Sequence, residues 1–90
     1  MIDTKIIGSG SSGNCYLADF SGTQILLECG LPFKVIQKAL NFKLSSIDAC
    51  LVTHEHIDHS KAVKDLIKNS INVYATKGTF DALNIASHRA

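Results

Sequence analysis

Residues 54–59, with the sequence HEHIDH, bring three histidines and two carboxylates into six consecutive positions. Imidazole and carboxylate groups are the usual protein ligands of divalent metals such as zinc. Just past a strand, residues two apart can point the same way, so His54 and His56 could grip one ion. Asp58 and His59 follow the turn and could hold a second ion, and two such ions activate water and clamp a substrate oxygen. We therefore interpret the cluster as a metal site for hydrolysis.

Two other interpretations of the cluster are weaker. The HExxH pattern of the zincins fails, because its fifth position here is Asp58 and not a histidine. A polar surface loop that binds no metal is the plain alternative. A random loop would rarely collect three histidines directly after an apolar strand, which favours the metal site.

The flanking segments place the cluster at the edge of a sheet. Residues 49–52 form a short apolar run that predicts a strand buried on both faces. Apolar residues at helical spacing predict an amphipathic helix over residues 60–69. The cluster then lies on a turn at the carboxyl end of a strand, which is where open α/β sheets carry their sites.

The remaining pattern predicts one α/β domain over residues 1–90, with a mixed sheet covered by helices on one face. Two strands joined by a Ser21-Gly22 turn are expected to form a hairpin. The further predicted elements are a short first strand at residues 6–7, hairpin strands at 14–19 and 23–28, a helix at 32–41, a strand at 72–75 and a last helix at 79–86.

Charge and composition exclude several classes of protein. The chain has 9 basic and 8 acidic side chains and a net charge of +1, which gives no electrostatic case for tight nucleic-acid or membrane binding. No apolar run is long enough to span a membrane, and the first residues lack the apolar core of a signal peptide. Cys15, Cys29 and Cys50 match neither a disulfide framework nor a zinc finger, so we expect buried thiols and a cytoplasmic protein.

Two further patterns leave alternatives open. Residues 8–14, GSGSSGN, either form a tight turn or cradle a phosphate, since backbone N–H groups of glycine loops bind anions. Lys61, Lys64 and Lys68 share one face of the predicted helix. That face is either simply solvated or in contact with a nucleic-acid backbone.

The HEHIDH segment matches the HxHxDH signature of the metallo-β-lactamase superfamily, and the chain resembles that family over nearly its whole length. Residues 24–30, QILLECG, look like the family's second-strand motif. The GSGSSGN loop is similar to the opening of a small bacterial branch related to exonucleases, and VYAT at residues 73–76 resembles the strand after the first metal helix. The resemblance implies the N-terminal half of an αββα sandwich.

The resemblance also implies roles for individual residues. His54 and His56 would bind a first metal ion, and Asp58 and His59 a second, with Asp58 also positioning the attacking hydroxide. The expected cofactors are two divalent ions, zinc in the first place and manganese or iron as alternatives. The implied chemistry is water-driven hydrolysis, and the exonuclease-like branch suggests phosphodiester bonds of nucleic acids as the substrate.

The chain departs from the family pattern in one supporting residue and in length. The resemblance gives Glu28 and Thr53 the role of orienting the ligands, although the family usually has aspartate at the position of Glu28. The family takes further histidines and a bridging aspartate from a later half, and His88 stands too near the chain end to be trusted as a substitute. With two protein ligands per ion, the isolated chain is expected to bind zinc weakly or not at all.

An uncovered sheet face is expected from the missing half. Leu26, Leu51 and Val73 should then face water or another chain, and large apolar patches drive association. We therefore expect self-association or pairing with a missing C-terminal half. The predicted function is a metal-dependent hydrolase that is incomplete as 90 residues. The alternative is a non-catalytic, self-associating binding module that retains the first half of the fold.

Overall fold

The computed structural model describes residues 2–10, 13–53 and 56–83 of the chain, apart from the side chains of residues 2, 57 and 58. Within these ranges the chain forms the α/β arrangement that the sequence predicts. The elements are β1 (Ile2–Gly8), β2 (Cys15–Phe20), β3 (Thr23–Leu27), α1 (Phe33–Ala39), a 3-10 turn (Leu44–Ser46), β4 (Ala49–Leu51), α2 (Ile57–Ser60), α3 (Val63–Lys68), β5 (Val73–Tyr74) and α4 (Lys77–Ala82). None of the described helices has the length and apolar character needed to cross a membrane.

The strands form one mixed sheet in the order β1-β2-β3-β4-β5. β1, β2 and β3 run antiparallel, whereas β3, β4 and β5 run parallel. The predicted hairpin is confirmed, since the chain reverses at Ser21 and Gly22, whose φ angles of 54° and 104° suit a two-residue hairpin turn. Asp19 fastens this turn by accepting the Gly22 N–H at 2.8 Å. Parallel neighbours need crossover connections, which α1 and then α2 with α3 supply.

Helices cover one face of the sheet, as predicted. Side chains opposite each other in the register share a face, and the row Leu17, Leu26, Cys50 and Val73 points toward the helices. Leu26 and Val73 are completely buried there, so the expectation that they face water is wrong. Their partners in the core are Ile36 of α1, Val63 and Leu66 of α3, and Phe80 of α4.

The opposite face of the sheet carries a second row of mostly apolar side chains. The register aligns Ile6, Tyr16, Leu27, Leu51 and Tyr74 across all the strands. Leu51 is 41% exposed, as the sequence predicts, and Tyr74 is 42% exposed beside it. We call these five residues the open row. The described chain therefore consists of one sheet and one helical layer, with the open row turned outward.

The helix predicted at residues 60–69 is divided into α2 and α3. Ala62 donates its backbone N–H to the carbonyl of Cys29 at 2.9 Å, and its φ of −97° and ψ of 9° leave the helical region. The end of β3 thus interrupts the helix. α2 begins earlier than predicted, at Ile57, inside the histidine cluster.

The last helix also differs from its predicted span of 79–86. It begins at Lys77, because Thr76 caps it by accepting the backbone N–H of Thr79 on its Oγ1 at 3.1 Å. α4 ends at Ala82, and residues 84–90, including His88, lie outside the described residues.

Candidate metal centre

The carboxyl ends of β3 and β4 meet at one edge of the sheet, and Thr53, which precedes the histidine segment, lies at this edge. β3 ends at Leu27 and is followed by Glu28, while β4 ends at Leu51, two residues before Thr53. α2 is held against the same edge, because Cys29 donates its N–H to the carbonyl of His59 at 2.8 Å. The described part of the histidine segment therefore lies at the carboxyl end of a parallel strand.

Glu28 is buried at this edge and bonds to the start of the histidine segment. One carboxylate oxygen accepts the backbone N–H of Thr53 at 3.0 Å, and the other accepts its hydroxyl. A buried carboxylate needs such bonds, because burial without them is costly. Glu28 has a φ of 66°, a left-handed conformation that a glutamate rarely adopts. This backbone turn interrupts the alternation of β3 and presents the carboxylate to Thr53 and to α2.

His59 lies against the same carboxylate. Its Nδ1 is 3.4 Å from Oε2 of Glu28, and its side chain is only 19% exposed. A carboxylate beside Nδ1 favours the tautomer with the proton on that nitrogen, which leaves the Nε2 lone pair for a metal. The Glu28–His59 contact is thus a close carboxylate–imidazole pair of the kind that can orient a metal-binding histidine.

Of the other predicted ligands, the structure describes His56 in full and Asp58 without its side chain. His56 is exposed and precedes α2 at its N-terminus, where its carbonyl accepts N–H bonds from His59 at 2.9 Å and Ser60 at 3.1 Å. His54 lies outside the described residues, and Asp58 lies in α2 with a side chain that is not described. Among the side chains that are described, no group of three or more assembles a metal site. The donor chemistry present, imidazoles supported by a carboxylate, nevertheless suits a zinc-like ion.

The three cysteines lie in the core, as predicted, and all are completely buried. Burial raises the pKa of the Cys15 thiol to about 12, with the neighbouring Cys29 and Glu28 adding to the shift. A hydrogen bond with Cys29, followed by burial, raises the pKa of the Cys50 thiol. The raised pKa keeps the Cys15 and Cys50 thiols neutral, which makes them poor metal ligands and poor nucleophiles. All three cysteines contribute packing to the core.

The described part of the glycine-serine loop packs against the turn that follows β3. Gly13 donates its N–H to Gly10 at 3.2 Å, and Gly10 donates its own N–H to the side chain of Asn14 at 3.2 Å. These bonds engage two of the N–H groups that a phosphate cradle would use, which favours the tight-turn interpretation for the described part of the loop. The sequence did not lead us to expect that the Asn14 side chain closes this loop, although an asparagine after a glycine is a common sign of a turn.

The comparison with known families agrees with the fold. The family model described as the Metallo-beta-lactamase superfamily matches residues 8–80, from the glycine-serine loop through the histidine segment to α4. The chain belongs to the metallo-beta-lactamase superfamily.

Among curated proteins, the chain is similar to two exodeoxyribonucleases. WalJ of Streptococcus pneumoniae serotype 2 (strain D39) is 39% identical in an alignment over 83 residues that covers 88% of this chain and 31% of WalJ. YycJ of Bacillus anthracis is 32% identical over 83 residues, again 88% of this chain and 31% of the relative. The chain therefore spans about a third of the length of these relatives.

Among solved structures, the metallo-beta-lactamase fold protein YhfI from Bacillus subtilis matches all of this chain. The TM-score is 0.74 at 19% identity, with 100% of this chain and 44% of YhfI covered. At that identity the likeness shows the fold alone.

Proposed function

We propose that this chain is the metal-binding N-terminal part of a metal-dependent hydrolase that cleaves phosphodiester bonds in nucleic acid. The observation that carries the proposal is the contact between the Glu28 carboxylate and His59 at the edge where the HEHIDH segment lies. The names of WalJ and YycJ, both exodeoxyribonucleases, support a nucleic-acid substrate. Free, buried cysteines support a reducing compartment such as the cytoplasm.

In this proposal the histidine segment holds two divalent ions, with zinc the first candidate. His54 and His56 bind one ion, and Asp58 and His59 bind the other. Two bound ions lower the pKa of water and neutralise charge that develops on the phosphate. Glu28 holds the His59 ring in place, and Asp58 orients the water that attacks the phosphorus.

Thr53 connects the two halves of this arrangement. Its backbone N–H and its hydroxyl both bond to Glu28, so the residue before His54 is anchored to the same carboxylate as His59. A single buried acid therefore fixes both ends of the ligand segment. This shared anchor supports the supporting role that the sequence assigns to Glu28 and Thr53.

The helix after the cluster offers a surface for a nucleic-acid backbone. Lys61, Lys64 and Lys68 are exposed. Lys64 and Lys68 lie four residues apart on α3, about 40° of arc from each other at about 100° per residue, and Lys61 lies at the break before α3. Val63 and Leu66 face the core on the other side of the helix. The lysines begin two residues after His59, so a strand that enters the site could continue along them.

Two protein ligands per ion leave each site short of closure. We propose that residues beyond the present 90 supply the remaining ligands, as the share of WalJ that the chain spans suggests. The test is an assay of the protein expressed from the whole reading frame that encodes this chain. It should shorten a labelled single-stranded DNA when zinc or manganese is added, and His59→Ala should abolish that activity. Unchanged activity in His59→Ala would refute the proposal.

One observation favours a second function, that of a non-catalytic, self-associating module. The open row exposes Ile6 at 66%, Leu51 at 41% and Tyr74 at 42%. Exposed apolar surface of this kind marks protein interfaces. Concentration-dependent dimers together with an absence of any metal binding would favour this module over the hydrolase.

A further inference from the structure

We propose that Asn14 is a positioning residue of the metal centre, which couples the glycine-serine loop to the turn carrying Glu28 and the contacts of His59. The assignment rests on the proposed metal site. Its physical basis is a continuous path of hydrogen bonds and close contacts from the loop to α2.

The side chain of Asn14 closes the loop from within. Its Oδ1 accepts the N–H of Gly10 at 3.2 Å and the hydroxyl of Tyr16 at 3.3 Å, and its Nδ2 donates to the carbonyl of Gly10 at 3.2 Å. A donor and an acceptor on one amide thus engage both backbone groups of Gly10. This two-point contact fixes the position of Gly10 relative to the start of β2.

The closed loop packs directly on the turn after β3. Asn14 accepts the N–H of Gly30 on its backbone carbonyl at 2.8 Å. A Cβ on Gly13 would lie 2.3 Å from the carbonyl oxygen of Gly30, so only glycine permits this approach. A Cβ on Gly8 would similarly lie 2.9 Å from the side chain of Leu31. The loop and residues 30–31 therefore form one packed unit.

The same turn holds α2 through the neighbouring residue. Cys29 donates its N–H to His59 at 2.8 Å and accepts the N–H of Ala62 at 2.9 Å. Any displacement of Gly30 is therefore transmitted to Cys29, and from there to the backbone of His59. The loop motif, which the proposed metal chemistry itself does not use, is in this way tied to the position of a proposed ligand.

The test compares three variants of this chain. Asn14→Ala removes every side-chain bond, whereas Asn14→Asp keeps the acceptor for Gly10 and Tyr16 and loses only the donor. Asn69→Ala is the matched control, because the Asn69 amide donates to the Asp65 carbonyl at 2.8 Å, a local bond at the other end of α3. Two quantities are measured: amide hydrogen exchange at Cys29 and Gly30 in the metal-free protein, and zinc affinity by competition with a colorimetric chelator.

We expect Asn14→Ala to speed exchange at both Cys29 and Gly30 by at least about fivefold, with Asn14→Asp intermediate and Asn69→Ala unchanged. Zinc affinity should fall at least about threefold in Asn14→Ala and stay constant in Asn69→Ala. If Asn14→Ala speeds exchange at Gly30 alone and leaves both the exchange at Cys29 and the zinc affinity unchanged, the proposed coupling to His59 is refuted. Asn14 would then only stabilise the loop itself. If the protein expressed from the whole reading frame binds no zinc, the proposed metal function fails, and the exchange at Cys29 still decides the coupling.

Discussion

The Oε2 atom of Glu28 lies 3.4 Å from Nδ1 of His59, and the same carboxylate bonds to both the backbone and the hydroxyl of Thr53. These three residues come from the end of β3, the end of β4 and α2. At their meeting point the strand ends and the described part of the histidine segment are joined through side chains. The carboxylate therefore contacts an imidazole and anchors the chain that leads into His54.

Glu28→Gln should weaken metal binding by about 10- to 100-fold, because the amide loses the charge that supports the His59 ring. Zinc affinity, measured by chelator competition on the whole protein, reports the effect. Asp65→Asn is the matched control, since it removes an equal charge from the exposed surface of α3. Equal zinc affinities in the two variants would argue against a supporting role for Glu28.

Replacing three lysines by glutamine should weaken the binding of single-stranded DNA and make this binding less sensitive to salt. The three are Lys61, Lys64 and Lys68. The slope of log affinity against log salt should fall in magnitude by about 2, since about 0.7 counterions are released per contact. Fluorescence anisotropy of a labelled oligonucleotide measures both effects.

The control for these three lysines is a second set of three exposed lysines, which precedes β4 in the sequence. Lys34, Lys38 and Lys43 are also exposed, and their neutralisation changes net charge by the same amount. If neutralising either set of lysines lowers the affinity for DNA equally, the effect comes from net charge alone. The helix after the histidine segment is then not a nucleic-acid surface.

Leu51→Glu should abolish any self-association of the 90-residue chain, because it places a charge in the open row between Leu27 and Tyr74. Val35→Glu is the control, since Val35 of α1 is exposed to a similar extent, 46% against 41% for Leu51. Sedimentation velocity over a range of concentrations measures the assembly. Dimers that persist in Leu51→Glu, or are lost equally in Val35→Glu, would show that the open row is not the interface.

The buried thiols should be unreactive until the chain unfolds. At pH 8 an aromatic disulfide reagent should label the folded chain at least about 100-fold more slowly than the urea-unfolded chain, because the raised pKa of Cys15 and Cys50 keeps their thiols neutral. Fast labelling of all three cysteines in the folded protein would contradict the burial of this core.

Stability should also depend on alkaline pH through Cys15. Its folded pKa of about 12 lies above its ordinary value of 9.0, so the unfolded chain ionises first. The contribution to stability is complete below about pH 9 and is lost as pH rises toward 12. Over this range the free energy of unfolding should therefore fall less steeply with pH in Cys15→Ala than in the unaltered chain. The two slopes should differ by up to ~1.4 kcal/mol per pH unit. An identical slope would show that Cys15 does not titrate in this way.

The order of the elements was predictable because local signals determine it. The Ser21-Gly22 pair specifies a hairpin turn, and apolar spacing marks α1 and α3. The face that each strand buries was harder to predict, because β4 is only three residues long and continuously apolar. Leu26, Leu51 and Val73 were expected together on the uncovered face, whereas the register places Leu26 and Val73 beside Cys50 on the helix-covered face and only Leu51 on the other.

Features of the site that depend on distant contacts were not predictable. The break between α2 and α3 follows from the bond between Ala62 and Cys29, which are far apart in sequence. The left-handed backbone of Glu28 runs against the preference of its residue type, and only the packed strand ends hold it. The histidine segment stands out in the sequence because its donor side chains occupy consecutive residues, and its role as a metal site stays a prediction.

The central claim, that the HEHIDH edge binds divalent cations, is tested most directly by adding substoichiometric Mn²⁺ to the isotope-labelled chain and following paramagnetic broadening of amide NMR signals. This measurement detects weak sites, so it suits a chain with two protein ligands per ion. Broadening centred on Thr53, His56 and His59 is the predicted result. Broadening centred instead on Asp19 and Asp48, which bond to Gln24 at the opposite end of β3, would contradict the claim, as would uniform broadening.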